Sequence, residues 1–472
     1  MSDPKVLREA ILNADLKSVS FGDEPSLANL YIPPSHIKAL KLETSVVIGG
    51  RGVGKSFWTR ALNSQDLRSL VGQSLPELKG LKVHIGFSEK ADTNYPSSDI
   101  FQQLLNESNI EAYDVWRAVM VRWVAVILNK QKAVPSITWL ETVTWLQQQP
   151  ERVQELMLQV RNGKALLVFD ALDRSSNDWQ TMDSIVRGLL RAILWLKTFT
   201  GLYSKVFLRE DQAERTVFDF PDASKLKATQ AELTWAKYDL HGLLWQRIIN
   251  APAEHGDRMR TLLKELKASS HEENSVWLLH DSMKRESEQQ RKAFECLAGP
   301  WMGKDRRRGV PYIWTVSHLA DSRGLASPRS FLAAIEQAAE DSKERYLDHE
   351  YALHYESIKR GIQEASKIRV DEVAEDYPWV TPVLSALENL NVPIDFDEIK
   401  DAWRTRFKSG VSEIDTQSML PAQHQNQDWD GIKEDLQRLG ILETKKDGRI
   451  DMPDLYRVGF RLGRRGGVRP VR

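Results

Sequence analysis

The sequence predicts an α/β core with a mostly parallel sheet, followed by an α-helical segment and a C-terminal winged helix. Strand and helix patterns alternate over roughly the first 200 residues, which is typical of βαβ units with helices on both faces of a sheet. Residues 235–375 then have only helical spacing of their apolar positions. Near the C-terminus a helix precedes a short hairpin pattern, which is typical of a winged helix.

These changes of pattern predict four segments in the chain of 472 residues, a length too great for one ordinary domain. The predicted core occupies residues 1–234, and a helical lid and connector occupies 235–375. The winged-helix-like domain occupies 376–457, and a basic tail occupies 458–472.

Four apolar runs in the core predict strands. Thr44–Ile48 is a β-branched run that ends at glycines, and Leu81–Phe87 alternates between apolar and polar residues. Ala165–Phe169 is continuously apolar, and Lys205–Leu208 forms the last run. Strands with such apolar runs are typical of a mostly parallel sheet that is buried on both faces.

Helical spacing accounts for most of the remaining core. A helix is expected from Lys55 to about Leu62, and apolar residues recur at helical spacing from Ile100 to about Val160, with Pro150 as an interruption. Met182–Phe199 has the same spacing. Strands and helices therefore alternate along the core, as in βαβ units.

Composition limits the classes of function. The formal net charge is −1, so no overall field attracts nucleic acid, and the single cysteine, Cys296, allows neither an internal disulfide nor a cysteine-based metal site. The ten histidines show no zinc-binding spacing. Met1–Asp15 lacks the apolar stretch of a secretory signal, and no run is long enough for a membrane span. We therefore expect a cytoplasmic protein without membrane contact.

Residues 49–56 match the pattern G-x-x-x-x-G-K-[ST], between a predicted strand and a predicted helix. Glycines allow the backbone N–H groups of such a loop to point at phosphates, and the helix N-terminus adds its positive dipole end. Lys55 is expected to reach the β- and γ-phosphates, and Ser56 to bind Mg²⁺. The pattern predicts an ATP site, with GTP as the alternative. Its predicted nucleotide-binding residues are Gly49, Gly50, Arg51, Gly52, Val53, Gly54, Lys55, Ser56 and Phe57.

Asp170 follows the apolar strand Ala165–Phe169 directly, which predicts a carboxylate at the edge of the sheet where α/β proteins bind ligands. There it would bind Mg²⁺, directly or through water. Asp173 is the candidate for orienting or deprotonating the attacking water. The alternative for both residues is a turn or helix cap after the strand.

Two arginines are further candidates. Arg209 follows the strand Lys205–Leu208 and would sense or stabilise the γ-phosphate at the same edge of the sheet. Arg329 opens a helix in the sequence Ser327-Pro328-Arg329 and would close the helical lid onto the nucleotide. The alternative is that each arginine is a solvated surface residue.

These residues carry a resemblance to known families. Asp170–Asp173 after an apolar strand, together with a strand that ends in Arg209, resembles the signal-transduction ATPases with numerous domains (STAND) and the KAP ATPases. Ser327–Arg329 resembles the second sensor of AAA+ ATPases, and a terminal winged helix is common to both groups. The chain is most similar to bacterial P-loop ATPases that accompany antiviral or mobile-element conflict modules. The likeness covers about residues 20–345.

The resemblance implies an ATP-driven switch that controls a partner effector in antiphage defence, with nucleotide-dependent oligomerisation as a further expectation. Arg174 stands where many relatives have a glutamate, and the sequence shows no effector domain, so the effector would be a separate protein.

Two alternatives remain open. A DNA-acting ATPase would use the winged helix, the basic loop Lys304–Arg308 and the tail arginines. A scaffold would bind ATP with little turnover. The tail arginines are Arg461, Arg464, Arg465, Arg469 and Arg472.

Overall fold

The computed structural model describes residues 3–16, 25–160, 164–176, 178–213, 216–414 and 421–470. Contacts divide them into two compact units. The first, the sheet unit, contains residue 25 and the described residues of 35–234; the second, the helical unit, contains 3–16, 26–34 and the described residues from 235 onward.

The N-terminal segments therefore group with the helical unit, whereas the sequence pattern had grouped them with the core. Buried Arg8 explains part of this association, because its Nε donates to the carbonyl of Ala352 at 2.8 Å. Arg247 likewise donates to the carbonyl of Asp15 at 2.6 Å. Local periodicity does not reveal such distant partners. The predicted boundaries at 376 and 458 stay predictions.

The sheet unit is built on five strands in the order β2-β3-β4-β1-β5. All four pairings are parallel, which confirms the predicted α/β class with a mostly parallel sheet. The strands are β1 (Val46–Ile48), β2 (Lys82–Phe87), β3 (Ala165–Phe169), β4 (Leu202–Leu208) and β5 (Ala231–Glu232). Strand β4 therefore separates β1 from β3.

Helices cover the sheet, as parallel strands require. Pro150 begins a helix instead of interrupting one, since its fixed φ and missing N–H suit a first helical position. The α-helices of this unit are Ile37–Leu40, Lys55–Asn63, Gln65–Ser74, Ser98–Gln102, Ala112–Ile127, Trp139–Gln148, Pro150–Leu158, Trp179–Leu196, Glu210–Ala213 and Ala223–Lys227, and Gln103–Glu107 is a π-helical turn.

The centre of the sheet contains one buried cation. Lys205 lies in β4 with no exposed surface, and its Nζ donates to the backbone carbonyls of Ala39 at 2.6 Å, Lys41 at 3.0 Å and Thr44 at 2.7 Å. These three acceptors replace the water that a buried ammonium loses. They also attach the segment before β1 to the adjacent strand β4.

The helical unit is dominated by two long helices, Pro328–Arg345 and Tyr355–Asp376. They approach closely at Gly361, where a Cβ atom would lie only 2.1 Å from the carbonyl oxygen of Ala334. The other α-helices of this unit are Pro4–Asn13, Lys237–Ile249, Glu254–Glu265, Glu288–Ala298, Pro311–His318, Val380–Ser385, Phe396–Arg406, Asp428–Arg438 and Asp454–Arg457. No helix among the described residues combines the length and apolar character needed to cross a membrane.

The expectation of purely helical structure in 235–375 was wrong at one place. Strands β6 (His271–Glu273) and β7 (Val276–Leu278) form an antiparallel hairpin. Its turn residues Asn274 and Ser275 have φ values of 49° and 62°, as a type I′ turn requires. The strands are short and the first is polar, so their periodicity is too weak to distinguish them from a loop.

A second antiparallel pair lies near the C-terminus, at the predicted hairpin. Strands β8 (Glu443–Thr444) and β9 (Ile450–Asp451) flank a turn in which Gly448 has φ of 88°. An isolated bridge joins Ile394 to Ile450. The assignment of this region to the winged-helix class stays a prediction.

Candidate functional site

The candidate site lies at the carboxyl ends of three adjacent strands of the sheet unit. Because β4 lies between β1 and β3 and all three are parallel, the loops that follow them open at one edge. The backbone N–H of Gly49 donates to Leu208 at 3.1 Å, so the loop after β1 begins beside the end of β4. This is the edge at which open α/β sheets bind ligands.

A glycine-containing loop connects β1 to the helix Lys55–Asn63. Gly52 and Gly54 have φ values of 76° and 106°, in the left-handed region that disfavours residues with a Cβ. A Cβ on Gly49 would lie 2.7 Å from Cγ2 of Val53, because the loop curls back on itself. Such a curl before a helix N-terminus is suited to bind an anion.

The ammonium of Lys55 lies within this curl. Its Nζ donates to the carbonyls of Gly49 at 2.8 Å and Gly50 at 2.7 Å. Burial lowers the pKa of Lys55, and the nearby carboxylate of Asp170 opposes that shift. A cation held in this way has a strong electrostatic preference for an additional anion.

The two predicted magnesium ligands lie in contact. The hydroxyl of Ser56 lies close enough to the carboxylate of Asp170 to stabilise its charged form, and Asp170 is 4% exposed. Burial raises the pKa of Asp170, while Lys55 and hydrogen bonds from Ala171 and Ser56 oppose the shift. Ala171 has φ of 57°, a conformation uncommon outside glycine and characteristic of strained functional turns.

This donor set fits a magnesium–nucleotide complex. Magnesium in such complexes takes one or two protein oxygens and completes its shell with water and phosphate oxygens, so Ser56 and Asp170 suffice. Over the part of the chain that the structure describes, no group of three or more His, Cys, Asp or Glu side chains could hold a metal ion by itself.

Arg209 connects two acidic residues at the end of β4. Its Nη1 contacts Oδ2 of Asp173 at 3.4 Å, and its Nε contacts Oδ1 of Asp211 at 3.2 Å. Its backbone N–H donates to Oε1 of Gln212 at 3.1 Å. The structure thus brings together Arg209 and Asp173, two of the predicted catalytic residues.

Asp211 was not among the predicted site residues. The only signal in the sequence is its position two residues after Arg209, directly beyond a strand. Acidic residues commonly follow strands as helix caps, so this spacing by itself does not separate a functional carboxylate from a structural one.

Other predicted residues have local roles in the structure. Phe57 packs edge-to-face against Trp58 with ring centroids 5.4 Å apart. Arg329 belongs to the helical unit, where its guanidinium forms an ion pair with Glu372. The role of Arg329 at the nucleotide stays a prediction. Arg51 and Val53 lie in the loop itself.

Two of the predicted tail arginines form internal ion pairs. Arg464 contacts Asp454 at 3.2 Å and also pairs with Asp451, and Arg461 contacts Glu388 at 3.2 Å. These contacts agree with an arm that packs on the protein's own acidic groups. Arg472 lies outside the described residues.

Comparisons with known proteins add little to this geometry. The sequence matches no protein-family model and no curated protein. Among solved structures, the chain is similar to the ORC2 protein of Aeropyrum pernix in its ADPNP-ADP complexes, with 12% identity and a TM-score of 0.31 over 96% of this chain and 94% of that chain. That TM-score lies below the level of a shared fold, so function must be inferred from the chain's own residues.

Proposed function

We propose that the sheet unit binds Mg-ATP at Gly49–Ser56 and hydrolyses it. The observation that carries the proposal is the convergence of the glycine loop with Lys55, the Ser56–Asp170 pair and Arg209 at one sheet edge. Each group is of the type that phosphoryl transfer requires, because this chemistry depends on positioning and on stabilising charge.

The proposed roles follow from the chemistry of each side chain. The loop amides and Lys55 bind the β- and γ-phosphate oxygens, and Ser56 and Asp170 hold Mg²⁺, which neutralises charge on the phosphates when bound. Asp173 orients the attacking water and accepts its proton. Arg209 stabilises the charge that spreads over the transferred phosphoryl group.

Substitution of the loop lysine tests the proposal. Lys55→Ala should reduce the affinity for a fluorescent ATP analogue and the rate of phosphate release at least a hundredfold, since the buried cation is lost. Lys132→Ala, which changes an exposed lysine of the same unit, is the matched control and should behave as wild type. Equal turnover by the Lys55 variant and wild type would disprove the site.

For the biological role, we propose a nucleotide-driven switch that controls a separate effector and changes oligomeric state with nucleotide. The resemblance of residues 170–173 and Arg209 to STAND and KAP ATPases supports it. Hydrogen exchange tests the switch: a non-hydrolysable ATP analogue and ADP should give different protection in the helical unit, and Lys55→Ala should abolish the difference. Identical protection in that unit would contradict a switch.

A second candidate function is ATP-dependent action on DNA, favoured by the loop Lys304–Arg308. Its four cations are exposed, and none forms an ion pair with another described residue. If all four contact phosphates, changing them to glutamine should reduce the slope of log affinity against log salt by about 3 to 4. Changing the exposed residues Arg258 and Lys264 of the same unit, which lie outside the predicted winged helix, is the control. An unchanged slope in the loop variant would exclude this surface.

A further inference from the structure

We propose that Arg209 is a latch for the γ-phosphate, held in position by Asp211 and released from Asp173 when a triphosphate binds. The inference rests on the proposed function and assigns opposite roles to two carboxylates that contact one guanidinium. Asp211 is a positioning residue, whereas Asp173 competes with the phosphate for the arginine. The latch would distinguish ATP from ADP.

The two contacts differ in origin. Asp211 lies two residues after Arg209 on the same turn, and the bond from the Arg209 backbone to Gln212 fixes that turn. Asp173 belongs to the loop after β3, so its contact with Arg209 can open without unfolding the turn. The Asp211 contact is therefore the permanent one.

Exposure and distance agree with this ranking. The side chains of Arg209 and Asp211 are 14% and 12% exposed, whereas Asp173 is 33% exposed. The contact to Asp173 is also the longer, at 3.4 Å against 3.2 Å. Because a wetter and longer ion pair is weaker, the Asp173 contact is the one that a ligand displaces.

A γ-phosphate is well suited to displace it. A guanidinium presents five N–H donors in a planar fork, and Nε is already directed at Asp211. Nη1, once released from Asp173, can then bind an oxygen of the γ-phosphate, which carries more negative charge than a carboxylate. Asp173 is thereby freed to act on water only when a γ-phosphate is present.

If Arg209 is such a latch, substitutions of Asp211 and Asp173 should change the affinity for an ATP analogue, relative to ADP, in opposite directions. Asp211→Asn removes the anchor of Arg209 and should weaken binding of a non-hydrolysable ATP analogue about fivefold relative to ADP. Asp173→Asn removes the competitor and should strengthen analogue binding about fivefold relative to ADP, while turnover falls. Both substitutions remove one negative charge, so a simple field effect would strengthen binding of both nucleotides in both variants.

Fluorescence titration of both nucleotides against wild type, the two variants and Asp222→Asn tests the latch. Asp222 is an exposed aspartate paired with Lys225 and should leave the ATP-to-ADP affinity ratio unchanged. Asp211→Glu keeps the carboxylate and should retain most of the wild-type ratio, which separates positioning from misfolding.

The latch would be overturned if the ATP-to-ADP affinity ratio changed in the same direction in the Asp173 and Asp211 variants while wild type bound nucleotide normally. That result would leave the proposed function intact. Absence of nucleotide binding by wild type would instead refute the proposed function, and the latch with it.

Discussion

Acidification is expected to destabilise the sheet unit through His36. This side chain has no exposed surface, and its Nδ1 accepts a hydrogen bond from Nε1 of Trp58 at 3.0 Å. Trp58 lies on the helix Lys55–Asn63, directly beyond the glycine loop. Burial lowers the pKa of His36 from 6.5 to about 3, with the nearby backbone of Thr234 opposing the shift. Protonation of Nδ1 would direct two N–H groups at each other.

The direction and size of this change in stability follow from the linkage between proton binding and folding. The folded-state pKa lies below the unfolded value, so between pH 6.5 and 3 the unfolded state binds more protons and stability falls with falling pH. From pH 7 to pH 5 the loss from this residue is about 2 kcal/mol in the free energy of unfolding. Above pH 7 the contribution of His36 is almost constant.

The free energy of local opening can be measured by hydrogen exchange in peptides that cover the helix Lys55–Asn63. The exchange is followed between pH 7 and pH 5, and the rates are corrected for the intrinsic pH dependence of exchange. His36→Asn keeps an acceptor for Trp58 but cannot be protonated. Between pH 7 and pH 5 its opening free energy should therefore fall by about 2 kcal/mol less than that of wild type. His271→Asn, an exposed histidine of the helical unit, is the control. An equal fall of the opening free energy in wild type and in His36→Asn would show that His36 does not cause the acid sensitivity.

Three further predictions concern the site and its support. Asp170→Asn should abolish the strengthening of ATP binding by Mg²⁺ that is measured against EDTA, because a metal ligand is lost. Metal-free binding should be retained or strengthened, since the carboxylate beside Lys55 also repels phosphate. Lys205→Met should lower the free energy of unfolding in urea by about 2–4 kcal/mol, since three buried carbonyls lose their donor. Gly49→Ala should weaken ATP binding about tenfold in the same titration, because its Cβ would lie 2.7 Å from Val53 and force the loop to shift; unchanged affinity would show that the loop yields without cost.

Local patterns were sufficient for the parts of the site that lie within one strand and its following loop. The β-branched run before Gly49 and the apolar run before Asp170 each became a strand, and the helix began at Lys55. These features depend on residues close in sequence. Burial, turn chemistry and helix spacing all act over such distances, so they can be predicted from one sequence.

Features that depend on distant pairing could not be predicted in this way. Nothing in the local pattern states that β4 lies between β1 and β3, or that Arg8 binds carbonyls more than 300 residues away. The hairpin from His271 to Leu278 was missed because its strands are only three residues each. The contact between Arg209 and Asp173 could not be predicted for the first reason, since the two residues follow different strands.

The position of β4 explains why the site acts as one unit. Neighbouring strands lie roughly 4.8 Å apart, so β1 and β3 are separated by about 10 Å across β4. For Ser56 to lie near Asp170, the start of the helix after β1 must approach across the end of β4, the strand that Arg209 follows. Arg209 accordingly acts on Lys55, lowering the pKa of that ammonium in addition to the larger effect of burial. Because these charged groups interact with one another, their contributions to ATP turnover are coupled. A double substitution among Lys55, Asp170 and Arg209 should therefore raise the activation free energy of turnover by far less than the sum of the two single substitutions.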